Sequence, residues 1–445
     1  MLFSGILLVP KFIIAVTHRP NLAIAQSRLQ RYQQVRQWSV FLCEPLHPED
    51  YVVQPVGDVS PPKWHLGHTT WFFENFILKE QVPAYQLFDE RLNWFFNSYY
   101  ESQGPRILRT SRGNMTRPTT ETILAYRQHV DHHLEQWLQQ FTTAAMSPEL
   151  AQLLEIGLQH EQQHQELLVT DIKYILGTNP LYPAYRTAVA DSPGIPRSPA
   201  TWISVAAGNY FIGYAGDDFC WDNELSHHQV YLSAFALSRQ LVTNAQYLEF
   251  MQDGGYHNFE LWQMEGIEWA RQLDTKAPLY WYEKDGQWYH YTLAGLQPLD
   301  LAAPVTHVSF FEADAYARWA GCRLATEQEW EVACEQQHGS QIPASANLVE
   351  DQQWHPVAPR AEDDDQLLGN VWEWTNSAYL PYPRYPRLTG ALGEYNGKFM
   401  INQMVLRGGS CATPRSHLRL TYRNFFPTDK RWQFTGIRLA KDLPD

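Results

Sequence analysis

Apolar residues recur every three to four positions through the first 180 residues, and that period predicts α-helices. A polar helix is predicted over Gln26 to Phe41. Ser60-Pro61-Pro62 reads as a helix start, with Ser as N-cap and Pro at the first helical position, and WHLGHTTWFFENFILKE continues it. A third helix is predicted from Thr119, because Ile123, Val130, Leu134, Trp137, Leu138 and Phe141 keep the helical period. A fourth opens at Ser147-Pro148 and runs to about Leu176, where Gly177 and Pro180 stop it. Four such helices predict a four-helix bundle. The connection FNSYYESQGPRILRTSRGNMTRP is too long for mere linkage, so it is a candidate functional loop.

From Trp202 onward the pattern changes. Short strand-like runs (Trp202–Val205, Val230–Leu232) alternate with turns rich in Gly and Asp. Helices open at Thr243, with Gln246 in the capping-box position, and at Thr326, with Glu329. Residues 255–305 and 340–435 keep no sustained period and are expected to be irregular. There is no internal repeat, no GxGxxG and no phosphate-binding loop. The predicted fold class is therefore α+β and multidomain. Residues 1–24 read as a leader or a mis-assigned start, 25–180 as the metal-binding bundle, 181–200 as a Pro-rich linker and 201–442 as an irregular second domain. The apolar opening MLFSGILLVPKFIIAV lacks a basic n-region and is interrupted by Pro10 and Lys11. It is too short to span a bilayer, and no membrane association is expected.

Composition narrows the picture. Apolar residues make up 44% and charged residues 18%, a globular balance. The net charge is −14 and no Lys/Arg cluster stands out, so a nucleic-acid partner is excluded. Five scattered Cys without a CxxC pair argue against a disulfide framework or a thiolate zinc knuckle and fit a reducing, cytoplasmic setting. Aromatics reach 14%, a load that suits pockets for cations or flat rings.

The sharpest motif is HEQQHQE at 160–166. His160 and His164 lie one helical turn apart, on the face that carries Leu153, Ile156, Leu167 and Leu168. Two imidazoles buried side by side need partners for their nitrogens, and a divalent metal supplies one. His68 shares a face with Trp64, Trp71 and Phe72 and is the third ligand expected, whereas His65 is expected to point about 90° away and to be exposed. Three His from two helices leave coordination positions open, which is a catalytic arrangement. His129, His132 and His133 are expected on a partly solvated surface. HEQQH also matches the zinc-protease pattern HExxH with Glu161 as base, but it lies late in a bundle helix without an obvious third ligand downstream. The donor set alone suits zinc or iron(II).

Longer segments carry a family resemblance. PPKWHLGHTTWFFE (61–74), FNSYYE (96–101) and LQHEQQHQELLVTDIKY (158–174) resemble the N-terminal DinB-like domain of the ergothioneine-biosynthesis sulfoxide synthases, the EgtB family of hercynine oxygenases. DNELSHHQVYLSAFALSRQLVTNAQYLEFMQDGGY, APVTHVSFFEADAYARWAGCRLATEQEWEVA, GNVWEWTNSAYLPYP and LRGGSCATPRSHLRLTYRNFFPTDKRWQFTGIRLA resemble the formylglycine-generating-enzyme-like domain, a C-type-lectin-related fold. The resemblance covers roughly residues 27 to 442. It implies a non-haem iron(II) enzyme that uses O2 to join the sulfur of cysteine or γ-glutamylcysteine to imidazole C2 of hercynine, leaving a sulfoxide. By motif match it makes His68, His160 and His164 the iron ligands and Tyr99 and Tyr100 the proton donor or oxygen-positioning group. It puts Asn424, Phe425, Phe426 and Trp432 in the segment that binds hercynine and its quaternary ammonium. Arg106, ahead of Arg109 and Arg112, is expected to receive the carboxylate of the thiol substrate. The alternatives are an ovothiol-type 5-histidylcysteine sulfoxide synthase, a zinc-dependent thiol transferase and a binding module without catalysis. Formylglycine generation needs paired cysteines, and Cys411 has no second Cys after it.

Overall fold

The computed structural model describes residues 27–98, 104–142, 145–187, 201–359, 364–386 and 396–444. The expected leader 1–24 and the tyrosines Tyr99 and Tyr100 lie outside the described residues.

The bundle is built from α1 (Arg28–Cys43), α2 (Pro62–Phe73), α3 (Thr120–Gln139) and α4 (Pro148–Gly177). Each start has a local cause. The Ser27, Thr119 and Ser147 side chains accept from the backbone N–H three residues on, and Pro62 and Pro148 open their helices where a missing N–H costs nothing. After Phe73 the chain widens into a π-helical turn, Glu74–Leu78. Every residue of α2 is buried. A helix buried on all sides has neighbours on all sides, and α2 packs against both α3 and α4. α4 is amphipathic at its start and buried on nearly all faces from Gly157 to Gly177, because there it meets the second half of the chain as well as the bundle.

That second half holds thirteen short strands among the described residues. β1 (Trp202–Val205), β4 (Phe235–Ser238), β8 (Arg323–Leu324) and β13 (Leu439–Asp442) form an antiparallel sheet in the order β1-β4-β13-β8. β9 (Trp372–Ala378), β10 (Met404–Arg407), β11 (Asn424–Phe426) and β12 (Thr435–Gly436) form a second sheet in the order β11-β10-β9-β12, its β12–β9 pair parallel. β2 (Gly208–Ile212) and β3 (His228–Leu232) make a hairpin, and β5 (Trp281–Lys284), β6 (Gln287–Thr292) and β7 (Gly295–Pro298) a meander. Helices α5 (Asn244–Gln252), α6 (Met264–Gln272), α7 (Phe310–Trp319) and α8 (Glu327–His338) pack around them. Three buried ion pairs, Arg423–Glu327, Arg407–Glu331 and Arg438–Glu373, cross between α8 and the second sheet or within that region.

Two expectations are refined here. Residues 255–305 are more regular than expected, since they hold α6 and the meander, whereas 340–435 is largely irregular around three strands of the second sheet. Elements of two to nine residues are too short to show a period, and the meander turns on Asp285-Gly286, both at positive φ, as a tight hairpin requires. The start of the expected linker is also pinned. Tyr185 is buried, donates its N–H to Leu293 O and its hydroxyl to Leu42 O, and the Arg186 guanidinium lies 4.2 Å from the Phe41 ring centre. Residues 188–200 lie outside the described set.

The halves meet along α4. Glu166 accepts from Trp372 Nε1 (2.6 Å) and Ser410 Oγ (2.6 Å), Gln159 Oε1 is 2.6 Å from His417 Nδ1, and Lys173 Nζ is 2.7 Å from His307 Nε2. A cavity lies on this seam.

Candidate functional site

His68, His160 and His164 converge at the floor of that cavity. One ring nitrogen from each lies within 4.8 Å of the others. The helical period explains the convergence: His160 and His164 stack one turn apart on α4, and α2 presents His68 between Trp64 and Trp71. Trp64 stacks on His68 at 4.5 Å and 15°, and Trp71 lies on its other side at 5.7 Å and 15°. His68 Nδ1 is 2.7 Å from Phe96 O, so that nitrogen carries the proton and donates it. Nε2 is then a bare lone pair, and it lies 3.2 Å from His160 Nε2. Burial pushes His160 down to about 4, and burial followed by repulsion from neighbouring His holds His68 and His164 well below the ordinary imidazole range. At neutral pH all three are uncharged, which is the form that binds a metal. Neutral imidazoles with lone pairs facing one another suit a divalent cation between them.

The other polar residues of the motif face elsewhere or serve the cavity differently. Glu161 points into the bundle, where it meets Arg36 at 2.8 Å, Arg127, and Ser39 Oγ at 2.6 Å. Burial alone would raise its pKa, but the two guanidiniums outweigh it and hold the carboxyl at about 2. It does not line the cavity, so it is not placed as the base of an HExxH protease. Gln163 and Glu166 do line it. Both belong to the HEQQHQE run and were missed because that run was read only for its histidines and Glu161.

His65 is not exposed. It is 3% exposed, with Nδ1 2.9 Å from His164 Nδ1 and Nε2 3.0 Å from Asp171 Oδ2. Three residues along a helix is 60° short of a full turn, so His65 sits near His68 on a helix with no solvent face. Asp171 also accepts from Ser60 N (2.8 Å) and Trp432 Nε1 (3.1 Å). Its signal was present, seven residues after His164 on the same stripe of α4.

The cavity has a volume of about 280 Å³. Its far wall comes from the second half: Asn424, Phe425, Phe426 and Trp432 all line it, with Phe399 and Tyr422 beside them. Phe426 meets Trp432 edge-on at 5.3 Å, and Phe425 stacks on Tyr379 at 4.0 Å. Tyr422 accepts from Gln163 Nε2 at 3.2 Å and lies 3.1 Å from His417 Nε2. Arg106, ranked first for the substrate carboxylate, is exposed and off the cavity wall, with its guanidinium bonded to Ser98 O. Arg109 and Arg112 are on the wall instead. Arg112 is buried, lies 3.3 Å over the Trp64 ring and bonds Ser60 Oγ (2.8 Å) and Ser98 Oγ (3.1 Å). The loop turns through a short 3₁₀ segment, Arg109–Asn114, which directs the later arginines inward. His129, His132 and His133 lie away from the site, on a face where His132 is exposed and the other two are half-buried. Cys411 is buried and off the cavity wall.

Comparison with known proteins adds to this geometry. Residues 189–359 and 361–443 match the Sulfatase-modifying factor enzyme 1-like domain, and residues 31–168 match the DinB superfamily. The hercynine oxygenase of Mycolicibacterium smegmatis is 33% identical over 309 residues, covering 64% of this chain and 71% of that protein. The hercynine oxygenase of Mycolicibacterium thermoresistibile is 34% identical over 321 residues, covering 66% and 70%. Ergothioneine biosynthesis protein 1 of Schizosaccharomyces pombe is 28% identical over 236 residues, covering 50% of this chain and 28% of that protein.

Proposed function

Since the chain belongs to the hercynine oxygenase family, we propose that it is a sulfoxide synthase of ergothioneine biosynthesis, acting on hercynine, a thiol donor and O2. The observation that carries this reading is the pairing of two unlike walls. Three neutral imidazoles form one, and an aromatic surface from residues 422–432 forms the other, across about 280 Å³.

The proposed ligands are His68, His160 and His164. Iron(II) held there would supply open coordination positions and one-electron chemistry toward O2. The chain's own residues do the rest. Hercynine's trimethylammonium has no hydrogen-bond donors, so its receptor is aromatic, and Phe425, Phe426 and Trp432 offer faces and edges for it beside Asn424. The carboxylate of cysteine or γ-glutamylcysteine meets Arg112 or Arg109, whose planar guanidiniums suit a bidentate partner. Holding both substrates in one enclosed space removes the entropy cost of a three-body encounter. Tyr99 and Tyr100 remain the proposed proton donors; Ser98, immediately before them, lines the cavity. In the overall reaction one C–H and one S–H bond break, one C–S and one S–O bond form, and O2 ends as the sulfoxide oxygen and water. The five cysteines, unpaired, fit a reducing cytoplasmic setting, and no helix among the described residues is long and apolar enough to cross a membrane.

The test is an aerobic incubation of Fe(II)-loaded protein with hercynine, cysteine and γ-glutamylcysteine together, read by mass spectrometry. A hercynyl thioether sulfoxide is expected, and its mass names the donor. Bound iron with O2 unconsumed and no sulfoxide would overturn the reading. A histidine-derived product would point to the ovothiol-type reaction, and zinc-dependent thiol transfer without O2 to the transferase.

A further inference from the structure

The hydrogen-bond chain behind His164 has a direction that its chemistry fixes. Asp171 accepts on both oxygens: Oδ2 from Ser60 N and Oδ1 from Trp432 Nε1. A carboxylate has no proton to give, so His65 Nε2, 3.0 Å from Oδ2, must be the N–H donor. A neutral His65 then presents a bare Nδ1. The nitrogen 2.9 Å away is His164 Nδ1, which must therefore carry its own proton. His164 is left with a bare Nε2.

We infer that His65 and Asp171 are positioning residues that hold His164 in its Nε2-ligating tautomer and turn its ring toward His68 and His160. A charged carboxylate two steps behind a ligand also makes that ligand more electron-rich, so the pair strengthens metal binding as well as orienting it. His68 is fixed independently by Phe96 O, so the two devices set two of the three rings. The chain ends on the second half of the protein: the indole that bonds Asp171 belongs to Trp432, part of the aromatic wall. The orientation of a proposed ligand on α4 thus depends on a residue that faces the other substrate surface. The inference rests on the three-histidine metal reading and extends it to residues outside that set of three.

The experiment titrates metal-free full-length protein with Co(II), reading affinity and the ligand-field absorption band, with apo-protein thermal unfolding measured alongside. His65→Leu should weaken Co(II) binding by about ten- to hundred-fold and shift the band, as loss of an outer-shell partner does. His65→Gln can accept from His164 Nδ1–H through its oxygen and donate to Asp171 through its amide, so it should recover most of that loss. Asp171→Asn keeps the volume and removes the charge, and a loss of about ten-fold is expected. It carries the test if His65→Leu does not fold. Native affinity and an unchanged band in both His65→Leu and Asp171→Asn would overturn the positioning role while leaving the metal site standing. Gln no better than Leu would also overturn it. Failure of the unaltered protein to bind Co(II) or Fe(II) would remove the metal reading and this inference together.

Discussion

At the scale of single residues, neighbours one position apart on α4 have opposite tasks. His160 faces the cavity and is uncharged, while Glu161 faces the bundle and is ionised between Arg36 and Arg127. Glu161→Gln leaves two buried guanidiniums short of a counter-charge. We expect a loss of about 3–5 kcal/mol in urea unfolding, the range for breaking a buried ion pair from one side. A loss under about 1 kcal/mol would show that Asp131, whose Oδ1 accepts from Arg36 Nε at 2.6 Å, supplies enough counter-charge by itself. Much of this was legible beforehand. The spacing of His68, His160 and His164 selected the converging trio, and the same arithmetic done carefully would have brought in His65 and Asp171. The inward turn of Arg112 was not legible, because it depends on a short 3₁₀ turn that leaves no period in the sequence.

At the scale of elements, α2 shows why a glycine stands inside a buried helix. A Cβ at Gly67 would lie 2.2 Å from the Phe96 ring, and Phe96 is fully buried. Phe96 is also the residue whose carbonyl holds His68. Ala has the better helix propensity by about 1 kcal/mol. Overpacking nevertheless wins, and Gly67→Ala should destabilise by about 1–3 kcal/mol, seen as a lower unfolding temperature. An unchanged or raised temperature would mean the ring can retreat. Helix starts were the most readable elements, because a cap and a proline are local signals. α7 carries the same signal, Ser309 with Glu312, just after a stretch where no pattern was expected. The strands of the second sheet were hidden because their burial is set by α8 and by pairing between residues distant in sequence, as in Leu406 opposite Trp374.

For the whole molecule, burial along and beyond the seam sets a pH dependence. Burial pushes His290 down to about 3 and holds His307 and His417 well below the ordinary imidazole value. The unfolded chain takes up protons near pH 6.5 and the folded one does not. Their contribution is therefore complete above pH 6.5 and is lost as pH falls toward the folded values, by up to about 1.4 kcal/mol per pH unit for each. Urea midpoints measured in chelator should fall from pH 7.5 to 5.5, and His290→Gln should flatten the slope. A midpoint independent of pH over that range would contradict the neutral state of these residues.

The seam also bears on how such a protein can change over generations. The proposed ligand residues come from α2 and α4, and the aromatic wall comes from residues 399–432, so the two surfaces can mutate on separate accounts of selection. Substitutions at Phe425, which stacks on Tyr379, would alter what fits without reaching the imidazoles. Trp432 is the exception, because its indole is tied through Asp171 and His65 to His164. A lineage drifting toward a new substrate would keep that tryptophan while its neighbours turn over.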